Sequence, residues 1–344
     1  ERAIEIYEQA LKINPEFVES FSNLLFLLSQ GKDSYVYLDK AKEFGVLVAS
    51  RVDKKYDNYN SDGGNKKIRV GFVSGDFRNH PVGYFLDAFV CEVNAEKVEL
   101  YAYSASSTED ELTERIKPYF LEWRSIVGVS DVESARMIHA DGIKILFDLS
   151  GHTKYNRLPI FAWKPAPIQA TWLGYFATTG VKEIDYIIGD PVVTPADEES
   201  HFVESVWRFP ETHFTFAPPN IEVEIRASPC LEAGFITYGC FNSLSKMNDT
   251  VVSVWAKILL ASPGTRLFLK TKILGDEEQK KEVVDRFAVY GIDESRLILE
   301  GPSSRAELLA TYNRVDISLD PFPYPGGTTS VESLWMGVPV LTKK

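Results

Sequence analysis

The stretch most able to do chemistry lies near the end of the chain. It reads PFPYPGGTTSVESLW, residues 321–335, and the apolar run DISLD leads into it. Gly326 and Gly327 let the backbone approach a ligand closely. The helix that starts at the Thr-Thr-Ser would offer unpaired N–H groups and the positive end of its dipole to an anion. Thr328 and Thr329 add hydroxyl donors. A ligand-free reading competes, because Thr329-Ser-Val-Glu332 has the spacing of a capping box. A second group is Phe241-Asn-Ser-Leu-Ser-Lys246, where Lys246 follows a strand and can neutralise a diphosphate leaving group. Lys270 ends the next strand and is a similar candidate. Histidines occupy two more post-strand loops, His80 in GDFRNHP and His152 in GHTK. Either can take a proton from a hydroxyl near neutral pH. His139 falls at a helix end, where it can act as a cation near the dipole. His201 and His213 have no partner in view.

The elements that would position these residues alternate along the chain. Ala3, Tyr7, Ala10, Leu11 and Pro15 have the spacing of a tetratricopeptide second helix, and Phe21, Leu24, Leu25 and Leu28 mark the face of the next helix. A plain amphipathic hairpin is the competing reading. The polar stretch 57–67 is a boundary. Beyond it, strands are predicted at 68–73, 98–104, 143–149, 168–173 and 184–188, with helices around 83–93, 109–121 and 131–141. After a proline-rich stretch, 190–233, strands follow at 235–241, 266–270, 296–299, 316–319 and 338–341. Helices there fall near 249–261, 276–290, 304–313 and 330–336. Continuous apolar strands between helices predict parallel sheets covered on both faces. The fold class is therefore α/β with two Rossmann-like lobes, after a partial all-α repeat segment. Boundaries are placed at 1–50 for the repeat end, 51–67 for a linker, 68–230 for the first lobe and 231–344 for an incomplete second lobe.

Composition narrows the functions. The 344 residues carry a net charge of −12, which disfavours nonspecific binding to nucleic acid or an anionic membrane. Three separated cysteines, Cys91, Cys230 and Cys240, suggest buried thiols in a reducing compartment. No 18-residue apolar run and no signal peptide is visible, so a soluble, cytoplasmic protein is expected. Both ends look cut, as in a piece of a longer chain. No G-x-G-x-x-G, Walker A, H-E-x-x-H, paired C-x-x-C or D-x-D occurs. A nucleotide-dependent oxidoreductase is thereby disfavoured, and chemistry without a metal or cofactor is expected.

In order, the tetratricopeptide end, RVGFVSGDFRNHPVGYF, DGIKILFDLSGHT, KPAPIQATWLGYFATTG, DYIIGDP, GCFNSLSKM and DISLDPFPYPGGTTSVESLWMGVPV resemble the protein O-linked N-acetylglucosamine transferases. The SPINDLY-type fucose-transferring relatives are included in that resemblance, which spans the whole chain. It implies a GT-B fold and a metal-independent inverting transfer to Ser or Thr hydroxyls of proteins. It also implies that the repeats present the protein acceptor. By resemblance Lys246 meets the diphosphate, Gly327, Thr328 and Thr329 form the phosphate loop, and Glu332 meets the ribose. Asn242, Ser243, Lys270, Arg305 and Gly326 complete the expected nucleotide-sugar set. His80, directly or through water, is the expected base, His152 a second catalytic candidate and His139 a possible one. Animal members have histidine and aspartate where this chain has Gly327 and Glu332, and lysine and histidine at Arg305 and Leu308. The donor thus stays open between UDP-N-acetylglucosamine, which is preferred, and GDP-fucose. An inactive repeat-containing scaffold is the rival from another class.

Overall fold

A computed structural model describes residues 2–31, 33–59, 67–219 and 221–343. The expected boundary at 57–67 lies largely outside them, at 60–66. The described residues form two compact units that divide between Ala217 and Pro218.

The first unit opens with helices Arg2–Ile13, Val18–Leu28 and Ser34–Ala49. Seven parallel strands follow: β1 (Ile68–Ser74), β2 (Val98–Ser104), β3 (Glu122–Ser125), β4 (Ile145–Asp148), β5 (Ile168–Thr171), β6 (Tyr186–Gly189) and β7 (Ser205–Arg208). Their order across the sheet is β3-β2-β1-β4-β5-β6-β7. Alternation along the strands explains the unbroken apolar runs. Val70, Phe72, Leu100 and Ala102 face one core with the helix Pro81–Val90, whereas Val73, Tyr101 and Tyr103 face the other. That second core also holds Phe21, Leu25, Tyr37, Ala41 and Phe44, so the N-terminal helices close one face of the sheet. The first helix buries no residue of its own.

The second unit has five parallel strands: β8 (Thr237–Cys240), β9 (Arg266–Lys270), β10 (Leu297–Glu300), β11 (Ile317–Leu319) and β12 (Val340–Leu341), ordered β10-β9-β8-β11-β12. Ile221 and Val223 pack against its core beside Phe268 and Leu309. The stretch 218–230, placed by sequence with the first lobe, accordingly lies in the second unit.

Three local expectations differ. Strands β3 and β7 were not foreseen, because each is a four-residue, half-exposed edge. The helix expected to reach 121 stops at Ile116, since Pro118 removes a donor and restrains the residue before it. Cys91 is exposed rather than buried, and Cys230 is intermediate. No helix among the described residues is long and apolar enough to cross a membrane.

Candidate functional site

Parallel sheets of this order reverse direction between β1 and β4 in the first unit, and between β8 and β11 in the second. Ligands of such sheets bind beyond the strand carboxyl ends at that reversal. The loops there are 75–80 and 149–153, and 241–246 and 320–327, which carry most of the candidates.

In the second unit, Lys246 Nζ donates to Pro325 O at 2.8 Å and to Asn242 Oδ1 at 3.2 Å. It lies 4.7 Å from the Tyr324 ring centre. Burial lowers its pKa, opposed by the charges of Asp320 and Cys240. Asp320 caps the turn by accepting from Gly326 N at 2.6 Å, and burial pushes its carboxyl up. Ser243 holds the turn through Ser245 N at 3.4 Å. A side chain at Gly326 would run into Thr329 Oγ1, Ser330 Oγ and Asn242 Nδ2, so only glycine lets the turn pack this closely on those polar groups.

The helix here is Thr328–Trp335, with Gly327 at its start and no side-chain cap. The capping box expected of Thr329 and Glu332 is therefore absent. Thr329 is already inside the first turn, and Glu332 turns instead to Arg305 at 2.5 Å. Thr328 N and Thr329 N find no acceptor among the described residues, and Thr329 Oγ1 is buried without a partner. Tyr312 OH donates to Thr329 O at 3.0 Å and fixes the turn. Glu332 is 2% exposed and its pKa is raised by burial, with Arg305 opposing. Lys270 is bound into the end of β10, through Gly301 O at 3.1 Å and Glu300 at 3.3 Å. Asn242, Phe241, Tyr312, Asp320, Thr329 and Ser330 line one small pocket. Lys246, Asn242, Gly326, Gly327, Thr328 and Thr329 thus come together, with Arg305 and Glu332 joined to that turn through Thr329 and Tyr312. Lys270 is engaged elsewhere.

In the first unit, His80 starts the helix Pro81–Val90 and is partly exposed. Its Nδ1 is 3.4 Å from Val82 N and 3.5 Å from Asp76 Oδ2. Burial lowers its pKa, while Asp76 raises it and Arg78 lowers it.

His152 is 1% exposed, and both ring nitrogens are engaged. Nε2 must donate to the carbonyl Thr179 O at 3.0 Å, so Nδ1 accepts from Ser22 Oγ at 2.9 Å. Asn156 Nδ2 donates to Ser22 Oγ at 3.0 Å and completes the chain. The Phe44 and Tyr175 rings meet the imidazole edge-on. Burial holds its pKa down at about 3. His139 lies in the last turn of the helix Asp131–Ala140, as expected, where it stacks on Tyr56 with centres 4.0 Å apart and donates from Nε2 to Asn58 O at 2.8 Å.

Sequence reading gave no role to three acidic groups at these strand ends. Asp76 is buried beside His80. Asp148 bonds Ser150 N, Gly151 N and Thr171 Oγ1, and burial raises its pKa to about 6. Asp190 meets the buried His213 Nδ1 at 2.6 Å. Its pKa falls to about 2: burial acts upward, but hydrogen bonds from His213 and from the Val192 and Val193 N–H groups outweigh it. A carboxylate at or just after the end of a predicted strand was the available signal.

Comparison with known proteins shows the family and the fold. The model of glycosyl transferase family 41 matches residues 45–217 and 215–344. A rice (Oryza sativa subsp. japonica) protein named probable UDP-N-acetylglucosamine--peptide N-acetylglucosaminyltransferase SPINDLY is 35% identical over 98% of this chain and 37% of its own length. The Arabidopsis thaliana protein of the same name with the suffix SEC is 31% identical over 82% of this chain and 29% of its own. A mutant Thermobaculum terrenum O-GlcNAc transferase superposes with a TM-score of 0.93 at 35% identity, covering 99% of this chain and 65% of that one. The chain therefore spans just over a third of the rice relative it matches. The two parallel-sheet lobes are of the GT-B type, and the chain belongs to glycosyl transferase family 41.

Proposed function

We propose that the chain is the core of a glycosyltransferase that moves N-acetylglucosamine from UDP-N-acetylglucosamine to Ser or Thr hydroxyls of proteins. The observation that carries this is the second-unit turn. A partly desolvated lysine, two unpaired helix-start N–H groups and a tight glycine turn converge beyond β8 and β11. Such a set suits a diphosphate, whose charge Lys246 and the helix dipole would balance. Uridine and N-acetylglucosamine are favoured by the printed names of the rice and Arabidopsis relatives.

In this reading the acceptor oxygen attacks the anomeric carbon as the bond to the diphosphate oxygen breaks. The configuration inverts, the hydroxyl proton passes to His80, and nucleoside diphosphate leaves toward Lys246. Arg305 and Glu332 would contact the nucleoside side of the donor. His152 is assigned to holding the N-terminal helices on the first unit, because both its nitrogens are occupied. The N-terminal helices would belong to an arm that presents the polypeptide.

Thermal unfolding with added nucleotide tests this directly. UDP at 100 times its Kd should stabilise the native protein by about 2.7 kcal/mol, and Lys246→Ala should remove most of that protection. Equal protection of the variant would refute the diphosphate placement. Stronger protection by GDP would move the donor to GDP-fucose, and protection by neither would favour a scaffold.

A further inference from the structure

The loop between β1 and the helix Pro81–Val90 sets two demands on one nitrogen. Asp76 is buried, and its Oδ1 accepts from Arg78 Nη2 at 3.0 Å and Nε at 3.3 Å. That leaves Oδ2 facing His80 Nδ1 at 3.5 Å. On the other side, Val82 N–H approaches the same Nδ1 at 3.4 Å. Capping Val82 needs a lone pair on Nδ1, whereas bonding Asp76 needs a proton there. In the neutral ring the first choice puts the proton on Nε2, which then cannot accept one. The second choice leaves Nε2 with its lone pair.

We propose that Asp76 is a positioning residue that selects the Nδ1–H tautomer of His80 and so keeps Nε2 free to accept a proton. The proposal rests on the reading of His80 as the base. Arg78 contributes by anchoring Oδ1, which aims Oδ2 at the ring. The helix start pulls the other way, because Val82 N–H is aimed at the Nδ1 lone pair, so the carboxylate of Asp76 must outweigh that one long cap. The imidazolium formed on proton uptake would then lie beside a carboxylate. Its other charged neighbour is Arg78 on the same loop, while Asp110, the cap of the helix Glu111–Ile116, holds the backbone next to it by accepting from Asn79 N at 2.7 Å.

Long-range proton–nitrogen spectra of the chain labelled with nitrogen-15 histidine read the tautomer of each of its five histidines. His80 should show an Nδ1–H population in the native protein. In Asp76→Asn, Arg78 keeps the amide oxygen and the amide NH2 faces the ring, so His80 should convert to Nε2–H. His139 as Nε2–H and His213 as Nδ1–H, unchanged, would certify the fold of the variant. Asp76→Asn should also lower kcat at least about 100-fold with donor KM nearly unchanged. A native His80 that is Nε2–H alone overturns the proposal without any variant. If the tautomer converts while His80→Ala keeps its turnover, Asp76 still sets the proton and the base reading falls instead.

Discussion

Replacing His152 by glutamine should reshape the pH dependence of stability, and the size of the effect follows from its burial. The ring lies between Phe44 and Tyr175, fully paired and neutral, with its pKa lowered from 6.5 to about 3. The unfolded chain therefore binds a proton that the native protein refuses. Stability from this residue is complete above about pH 6.5 and is lost as pH falls toward 3. Between pH 7 and pH 4 the loss is about 3 kcal/mol, at 1.36 kcal/mol per unit. Asp148 acts in the opposite sense, because its pKa rises from 3.8 to about 6 and its native form gains stability on acidification. That gain is also about 3 kcal/mol by the same conversion, so the native protein alone shows only a shallow slope. The difference between native protein and His152→Gln isolates the histidine. At pH 7 the variant should be less stable by about 3 kcal/mol, for lost buried hydrogen bonds and ring contacts. Near pH 4 the two should be almost equal. Urea unfolding of the first unit at pH 7, 5.5 and 4 measures the gap. A gap that stays constant with pH would refute a buried neutral imidazole and reopen a chemical role for His152.

Two further substitutions probe the frame. Gly180 has φ +76°, and a side chain there would run into the carbonyl of Ala41 in the helix Ser34–Ala49. Gly180→Ala should cost about 3 kcal/mol or more, whereas Gly128→Ala, at φ +73° with nothing near, should cost about 1. Equal melting shifts would mean that the helix does not rest tightly on that loop. Arg305→Ala leaves Glu332 buried without its ion pair and raises its pKa further. The second unit should then lose about 3 kcal/mol at pH 8, and progressively less as the pH falls through the raised pKa and the carboxyl takes up a proton. A loss independent of pH would show that packing, not charge, is what Arg305 supplies.

Much of the frame was legible because buried parallel strands leave an unbroken apolar record. The runs at 98–104 and 266–270 are the strands themselves, and 249–261 is the helix it was expected to be. Edges and short turns were not legible. Glu122–Ser125 and Ser205–Arg208 carry charges and a half-exposed face, so nothing in them alternates strongly. Pairings between distant residues were also invisible. Asp190 and His213 are 23 positions apart, and Ser22 and His152 are 130 apart. Only the folded loops bring them together. The Thr329–Glu332 spacing misled for a related reason: it matches a capping box, but Arg305 offers the carboxylate a stronger charged partner.

The same rule of topology singles out a crevice in each unit, and the side chains around it decide what each can do. Beyond β4, the histidine loop is plugged. Ser22, Phe44 and Tyr175 surround His152, and Thr179 is held in turn by the buried Glu204. Beyond β1, His80 stays partly exposed beside a carboxylate that can orient it. Beyond β8 and β11, the turn keeps polar groups unpaired. Gly326 has no side chain, and Thr328 N, Thr329 N and Thr329 Oγ1 lack partners among the described residues. Leaving the buried Thr329 Oγ1 unpaired costs free energy, about 1–3 kcal/mol. That unpaired hydroxyl beside a desolvated lysine is what the proposed diphosphate would complete. Glycine at 326 is required by the turn itself, because a Cβ there would meet Thr329 Oγ1 and Ser330 Oγ.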